Sequence, residues 1–570
     1  MGVTQTRAEK GRSWLLQSAM VLGPLQPQQL SHAGSSRPNI LLLMPDQWRW
    51  DWDGAHEAAL RMPHLAALRA SGTSFPQGAT VPSPLCAPSR ACMVSLREYD
   101  EAGVSDNHLN DYPAEEIPTY FSSLKAAGYH TMAAGKDDLT KHSRLGWRLG
   151  KNIESASGTY LADTLGFSDS RRYLGKIDVV SKYPEPSDPF GYYLKSKHVK
   201  LGNGTTVNAF DAHAACLGVV GTDPKLCKDA SSYPQELYED DWTAAQAVEL
   251  LEHAPEDKPW FLWVSFPGPH DPFDVTGKMT STSVGRSWPS SVDPTKSEAT
   301  TTQGGSPSNK PSRANYAAEV ENLDRLFGVV LDAAGARGHT TLTDTVVCVF
   351  SDHGDMLYDH GEIGKEKPWQ GSLNVPLVCA GPGIRGGLSL NVPVASVDLG
   401  ATVLDIAGAD QVAGMTALSF RGLLEGADPE ERNRTVLLSG LQTAHFGAAT
   451  SSELRVSNKT WRNETWRLAE KEREQLRRKG KISVGKASYS WRAAVMGDAK
   501  TGAVYKFVCC QGECPGAPST AGEPDADGYM RLLYNTAVDP IDMVDLKKTL
   551  PHVAAKLQAA LPRKNGFDCS

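Results

Sequence analysis

The chain has 570 residues, 40 % hydrophobic and 22 % charged, with 58 Lys and Arg against 66 Asp and Glu for a net charge of −8. This composition excludes a mostly disordered chain, and the length fits one large domain with insertions or two to three domains. An acidic chain is a poor general partner for nucleic acid or an anionic membrane, and no apolar run reaches the ~18 residues of a membrane-crossing helix.

In chain order, residues 1–36 read as a leader. Arg7, Lys10 and Arg12 precede a semi-apolar stretch from Trp14 to Leu25, with small residues near Ala33. That is the order of a weak secretory signal peptide, broken by Gln17, Gly23 and Pro24. Residues 37–440 alternate short apolar runs with helical patterns. The predicted strands are Asn39 to Met44, His130 to Ala134, Trp260 to Phe266, Thr345 to Phe350 and Val375 to Ala380. The predicted helices are Pro63 to Ala70, Ile117 to Ala127, Trp242 to Glu252 and Tyr316 to Ala334. Continuous apolar strands alternating with helices predict an α/β fold around a mostly parallel sheet flanked by helices. Thr276 to Ser312, rich in Ser, Thr, Gly and Pro, reads as a long surface loop. Residues 441–482 form a charged insertion, with a solvated helical stretch from Trp461 to Lys481. Residues 483–570 read as a smaller α+β subdomain closing on a helix from His552 to Leu561.

Of the cysteines, Cys348 and Cys379 lie inside apolar runs and read as buried free thiols. Cys216 and Cys227 are placed to pair. Cys509, Cys510, Cys514 and Cys569 suit two disulfides in a secreted chain better than a zinc site, since no histidine lies close by. Sequons at Asn203, Asn433, Asn458 and Asn463 also point to the secretory pathway.

The residues just after each apolar run carry the chemistry. The first run ends in Asp46-Gln47 and the second in Gly135-Lys136-Asp137-Asp138. The third ends in Pro269-His270 and the fourth in Asp352-His353-Gly354-Asp355. In an open parallel sheet the ligand crevice lies beyond the carboxyl ends of the strands, so all four groups gather at one edge. Asp46, Gln47, Asp352 and His353 offer mainly oxygen ligands, which suit a hard divalent cation such as Ca²⁺ or Mg²⁺. The imidazole leaves zinc or manganese open. Between the first two runs, Pro84-Leu-Cys86-Ala-Pro88-Ser89-Arg90 puts a cysteine just before a predicted helix N-terminus. That position favours a lowered thiol pKa and a bound anion, and Arg90 adds a fixed cation. The spacing from Cys86 to Arg90 is too short for a tyrosine-phosphatase loop. His142, His360 and Asp138 are further candidates for the site, whereas His213 and His253 read as surface residues.

Together these segments resemble the sulfatase family. Cys86-Ala-Pro88-Ser89-Arg90 is similar to its C-x-P-S-R signature, whose cysteine becomes formylglycine. In-order companions run from Arg37-Pro-Asn-Ile-Leu to Gly364-Lys365, Asn374-Val375-Pro376 and Leu533-Tyr-Asn. Three departures stand out. Asp138 replaces the histidine of Gly-Lys-x-His, Ser95-Leu96-Arg97 replaces Thr-Gly-Arg, and Asn374 stands where an arginine often precedes Val-Pro. The first, with His142 after it and Asp241-Trp242 at a helix start, is similar to the arylsulfatase K branch.

The resemblance implies an alkaline phosphatase/sulfatase-like fold and release of sulfate from a sulfated carbohydrate or aryl sulfate. It implies catalysis by Cys86 as formylglycine with Arg90, Lys136, His270 and Lys365. Lys136, His142, His270 and Lys365 would bind substrate, with Lys136, Lys365 and Arg90 neutralising the sulfate oxygens. One divalent cation, calcium first, would sit on Asp46, Gln47, Asp352, His353 and residue 86. A formylglycine-generating enzyme would be the maturation partner. The alternatives are a phosphate or phosphonate ester hydrolase of the same superfamily and an inactive protein that binds sulfated glycans.

Overall fold

The computed structural model describes residues 37–107, 111–140, 164–180, 183–200, 204–216, 234–283, 285–292, 310–336, 341–428, 435–442, 489–498, 501–514, 516–518, 521–561 and 567–569. His142, Cys227, the four sequon asparagines and the charged stretch from Trp461 to Lys481 lie outside these residues.

An eight-stranded sheet organises the larger part of the chain. Its strands are β1 (Asn39–Pro45), β2 (Gly72–Ser74), β3 (His130–Lys136), β4 (Asp169–Tyr173), β5 (Trp260–Phe266), β6 (Thr345–Val349), β7 (Val378–Ala380) and β8 (Leu388–Ser389), in the order β8-β2-β7-β6-β1-β5-β3-β4. The run from β6 to β4 is parallel throughout, with Leu42 beside Cys348 on one side and Trp263 on the other. β7 pairs antiparallel with both β6 and β2. The sheet is therefore mixed at one end and parallel where the predicted site lies. The predicted strand from Val375 to Ala380 is interrupted at Pro376, where proline removes a ladder donor, and only Val378–Ala380 joins the main sheet.

β1 is apolar on both faces because both are covered by helices. Ile40, Leu42 and Met44 pack with α2 (Cys86–Ser95), α3 (Tyr120–Ala126) and α7 (Val397–Ala407). Leu41 and Leu43 pack with α1 (Pro63–Ser71), α4 (Glu239–His253) and α6 (Lys310–Gly335). A side-chain period of two thus divides one strand between two cores. The predicted loop from Thr276 to Ser312 instead holds a short helix, α5 (Gly277–Ser283), and α6 begins within it at Lys310. Thr276 Oγ1 accepts from the N–H of Met279 at the start of α5.

A second sheet, antiparallel, comprises β9 (Thr435–Gln442), β10 (Tyr489–Asp498), β11 (Ala503–Gln511) and β12 (Tyr529–Asn535), covered by α8 (Pro551–Ala560). Disulfides join Cys509 to Cys569 and Cys510 to Cys514. Cys348 and Cys379, expected as free thiols, are also bonded to each other. They lie directly opposite in the antiparallel β6–β7 pair, a register that no local pattern reveals.

Candidate active site

The position of Cys86 is set by α2. Leu85 is extended at its N-cap, and the helix starts at Cys86 itself, two residues earlier than Pro88 suggests. Every residue of α2 is buried. Asn107 accepts from the N–H of Ala87 at 2.8 Å, and Ser89 donates to the carbonyl of Asp352 at 2.6 Å. These bonds satisfy one free N–H of the first turn and tie the helix to the end of β6.

Asp46 and Gln47 follow β1, and Asp352 and His353 follow β6. Ligand atoms of Asp46, Cys86, Asp352 and His353 all lie within 4.8 Å of one another, and all four residues are buried. His353 Nδ1 donates to the carbonyl of Gly354 at 3.0 Å, which leaves Nε2 facing Cys86 Sγ at 3.1 Å. The amide nitrogen of Gln47 donates to Asp271 and Asp355, while its Oε1 is buried without a hydrogen-bond partner. A buried orphan carbonyl beside two carboxylates and an imidazole fits a divalent cation held by Asp46, Gln47, Asp352 and His353.

Three cations surround this centre. Lys365 Nζ lies 2.9 Å from Cys86 Sγ and 2.8 Å from His270 Nε2. Lys136 Nζ contacts Asp46, pairs with Asp138 at 3.1 Å and is 3.8 Å from Cys86 Sγ. Arg90 differs from expectation. Its Nε donates to Asp352 at 2.9 Å and its Nη2 to Asp46 at 3.2 Å, while Nη1 donates to the Lys136 carbonyl and to Ser265 Oγ. With no side-chain exposure, the guanidinium orients the two carboxylates rather than facing a sulfate.

The charges shift one another. Burial and Asp46 push the Cys86 thiol up, but Lys136, Lys365 and His353 outweigh them and hold it well below the usual thiol range. Burial likewise raises Asp46, yet Lys136, His270 and Arg90 hold it well below the carboxylate range. Burial disfavours charge on Lys136, and Asp138 with Asp46 reverses this, so the ammonium is kept. Asp138, standing where the resemblance leads one to expect histidine, thus serves as a counter-ion to Lys136.

His360 is not at this centre: it stacks on Trp369 and its Nε2 faces the carbonyl of Ile541 at 2.7 Å. His213, read as a surface residue, is buried edge-on to Phe190; its helix Ala209–Cys216 is too short and too uniformly apolar for the sequence to mark a buried face. His253 is exposed. Two supporting residues, Asp271 and Ser265, are missed by the sequence reading, and Asp355 is marked only as part of the run after the fourth strand. Asp355 and Asp271 both accept from Gln47, and Ser265 accepts from Arg90. A lone serine in the apolar run Trp260–Phe266 was the available signal for the last.

The family model described as Sulfatase matches residues 38–409. The chain belongs to the sulfatase family. It is a sulfuric ester hydrolase. Arylsulfatase K of Danio rerio is 25 % identical over 404 residues, covering 69 % of each chain. Choline-sulfatase of Rhizobium meliloti is 29 % identical over 394 residues, covering 66 % of this chain and 68 % of that one. Among solved structures, the phosphonate monoester hydrolase of Agrobacterium radiobacter aligns with a TM-score of 0.62 at 21 % identity, covering 92 % of this chain and 94 % of that one. This last likeness is one of fold.

Proposed function

We propose that this sulfatase releases inorganic sulfate from a sulfated carbohydrate or aryl sulfate using residue 86 as formylglycine. The observation that supports the reading is the position of Cys86 Sγ, 2.9 Å from Lys365 and 3.1 Å from His353 at the first residue of a buried helix. In the working enzyme this Sγ marks where the oxygens of the hydrated aldehyde stand. The hydrate supplies one hydroxyl to attack sulfur and a second whose deprotonation expels sulfate, which a plain thiol or serine lacks. The bound cation, with calcium as first candidate, supplies Lewis-acid charge.

Lys136 and Lys365 neutralise the sulfate oxygens as charge redistributes. Lys365 donates to His270 Nε2, and His270 Nδ1 donates to the Asp271 carbonyl at 2.5 Å. A substrate that displaces the Lys365 contact frees Nε2 to take a proton from solvent and pass it to the leaving oxygen. Arg90 holds Asp46 and Asp352 in place for the cation. The formylglycine-generating enzyme is the maturation partner, and the secretory pathway is the compartment. No helix among the described residues is long and apolar enough to cross a membrane.

The test is mass spectrometry of the tryptic peptide containing Cys86, followed by turnover of p-nitrophenyl sulfate. The aldehyde mass and sulfate release are expected; a plain thiol in native, active protein overturns the formylglycine reading. The fold likeness to a phosphonate hydrolase motivates the second reading. Faster turnover of phenylphosphonate or p-nitrophenyl phosphate than of the matched sulfate favours it.

A further inference from the structure

Beneath the turn that carries His270 lies a second buried charge cluster that the mechanism above does not use. Lys176 Nζ, 2 % exposed, donates to Tyr238 Oη at 3.1 Å, Asp274 at 3.1 Å and Glu319 at 3.0 Å, and pairs with Glu239 at 3.6 Å. It also reaches the backbone carbonyl of Pro272 at 3.4 Å. Asp240, beside Glu239 in the first turn of α4, accepts from the N–H of Gly268 at 2.9 Å. Tyr238 donates to the carbonyl of Asp274 at 3.0 Å, and Asn315 donates to that of Phe273 at 2.8 Å. The backbone of Gly268 to Asp274 is therefore gripped at both ends by side chains from α4, α6 and the segment after β4. His270 and Asp271 stand in its middle. There is no room to slacken at the near end: a Cβ on Gly268 would meet Asp240 Oδ2 at 2.4 Å.

We propose that Lys176 and Asp240 are positioning residues that fix the Gly268–Asp274 turn and thereby hold His270 against Lys365 and the nucleophile. The inference rests on the catalytic reading of His270. Loop turns of this kind lose precision when one anchor goes, and a displacement of about 1 Å can cost on the order of a hundredfold in rate. Lys176 acts through His270, so its effect depends on that residue.

The test is a double-mutant cycle in aldehyde-bearing protein with p-nitrophenyl sulfate as probe, alongside hydrogen exchange of the peptide spanning Gly268 to Asp274. Lys176→Met is expected to lower kcat about tenfold or more with KM nearly unchanged, but less than about twofold in a His270→Ala background. Lys176→Arg should restore part of the loss. Exchange within the turn should accelerate while the peptide of β1 is unaffected. Tyr238→Phe removes a single oxygen and supplies a milder variant, expected to shift the same peptide if Lys176→Met fails to fold. Equal losses in both backgrounds, or unchanged exchange in the turn, overturn the inference. If His270→Ala alone leaves kcat intact, the catalytic reading of His270 fails instead, and unaltered exchange would still be needed to refute the anchoring itself.

Discussion

Two of the buried charge clusters among the described residues, one around Cys86 and one around Lys176, solve the problem of desolvated charge differently. Around Cys86, three cations (Arg90, Lys136 and Lys365) face Asp46 and Asp352, and four candidate ligand atoms converge within 4.8 Å. Around Lys176, one ammonium is shared by Glu319, Glu239 and Asp274, with Asp240 close behind. There the acids do not converge on a point: among the described residues, the Cys86 centre alone groups ligand atoms this way. Burial pushes Glu239 and Glu319 well above the usual carboxyl range, and the single lysine does not reverse it. Unpaired buried charge is costly and is relieved by taking up a proton. A centre built to bind therefore keeps its charges matched and its ligands aimed inward. A centre built to hold backbone tolerates protons on its acids and spends its oxygens on a turn.

The sharpest way to break this contrast is at Cys86. Cys86→Ala should reduce sulfate release by a factor on the order of 10³ or more with the fold intact, read by turnover and circular dichroism. Retained activity would move the chemistry elsewhere. Next in size, Asp352→Asn should lower cation content, measured by elemental analysis, and cut activity on the order of a hundredfold. Glu319→Gln in the other cluster should leave cation content unchanged. A loss of metal from that variant would erase the distinction between the two clusters.

A smaller effect separates the clusters by pH. Burial raises the Asp240 carboxyl to about 7, with Asp241 and Asp274 adding to it and Lys176 and the Gly268 N–H opposing. The folded protein then binds a proton that the unfolded chain has released above about pH 4, so the stabilisation is complete below that value and is lost as pH rises through 7. Urea midpoints should fall between pH 5 and pH 7.5 by an amount equivalent to a few kcal/mol at most. Asp240→Asn should flatten that slope. Equal slopes in both proteins would rule out Asp240 as its source.

Only one of the clusters was legible in the sequence, and the reason is geometric. Parallel strands buried on both faces write unbroken apolar runs, and the crevice residues come immediately after them, as Asp46-Gln47 follows β1 and Asp352-His353 follows β6. The supporting cluster has no such marker. Lys176 and Glu319 are 143 residues apart, and each sits where a charged residue looks ordinary. Cys348 and Cys379 were opaque for a related reason: the apolar runs around them announce burial, while their bonding depends on which strands are neighbours. The orientation of Arg90 was equally out of reach, because a signature motif names the residue and not the partners of its five N–H groups.

The smallest expected effect concerns how α2 is anchored at its far end. Leu96 ends α2 with φ of 58°, a left-handed conformation that favours glycine and costs a residue with a Cβ roughly 1 kcal/mol. It also stands where the family pattern Thr-Gly-Arg has its glycine. Yet the side chain is fully buried, close enough to Gly400 of α7 that a Cβ there would meet Leu96 Cδ2 at 2.4 Å, and its carbonyl accepts from the N–H groups of Thr416 and Ala417. Packing therefore offsets the strained backbone. Leu96→Gly should relax the backbone but empty this contact, giving a net loss of about 1–3 kcal/mol, since core leucine truncations cost about 2–5 kcal/mol. Cation content should be unchanged, because the ligands lie at the other end of α2. A gain in stability would mean that the strain outweighs the contact. A loss of cation would mean that the strand-end centre depends on packing well beyond its own charges.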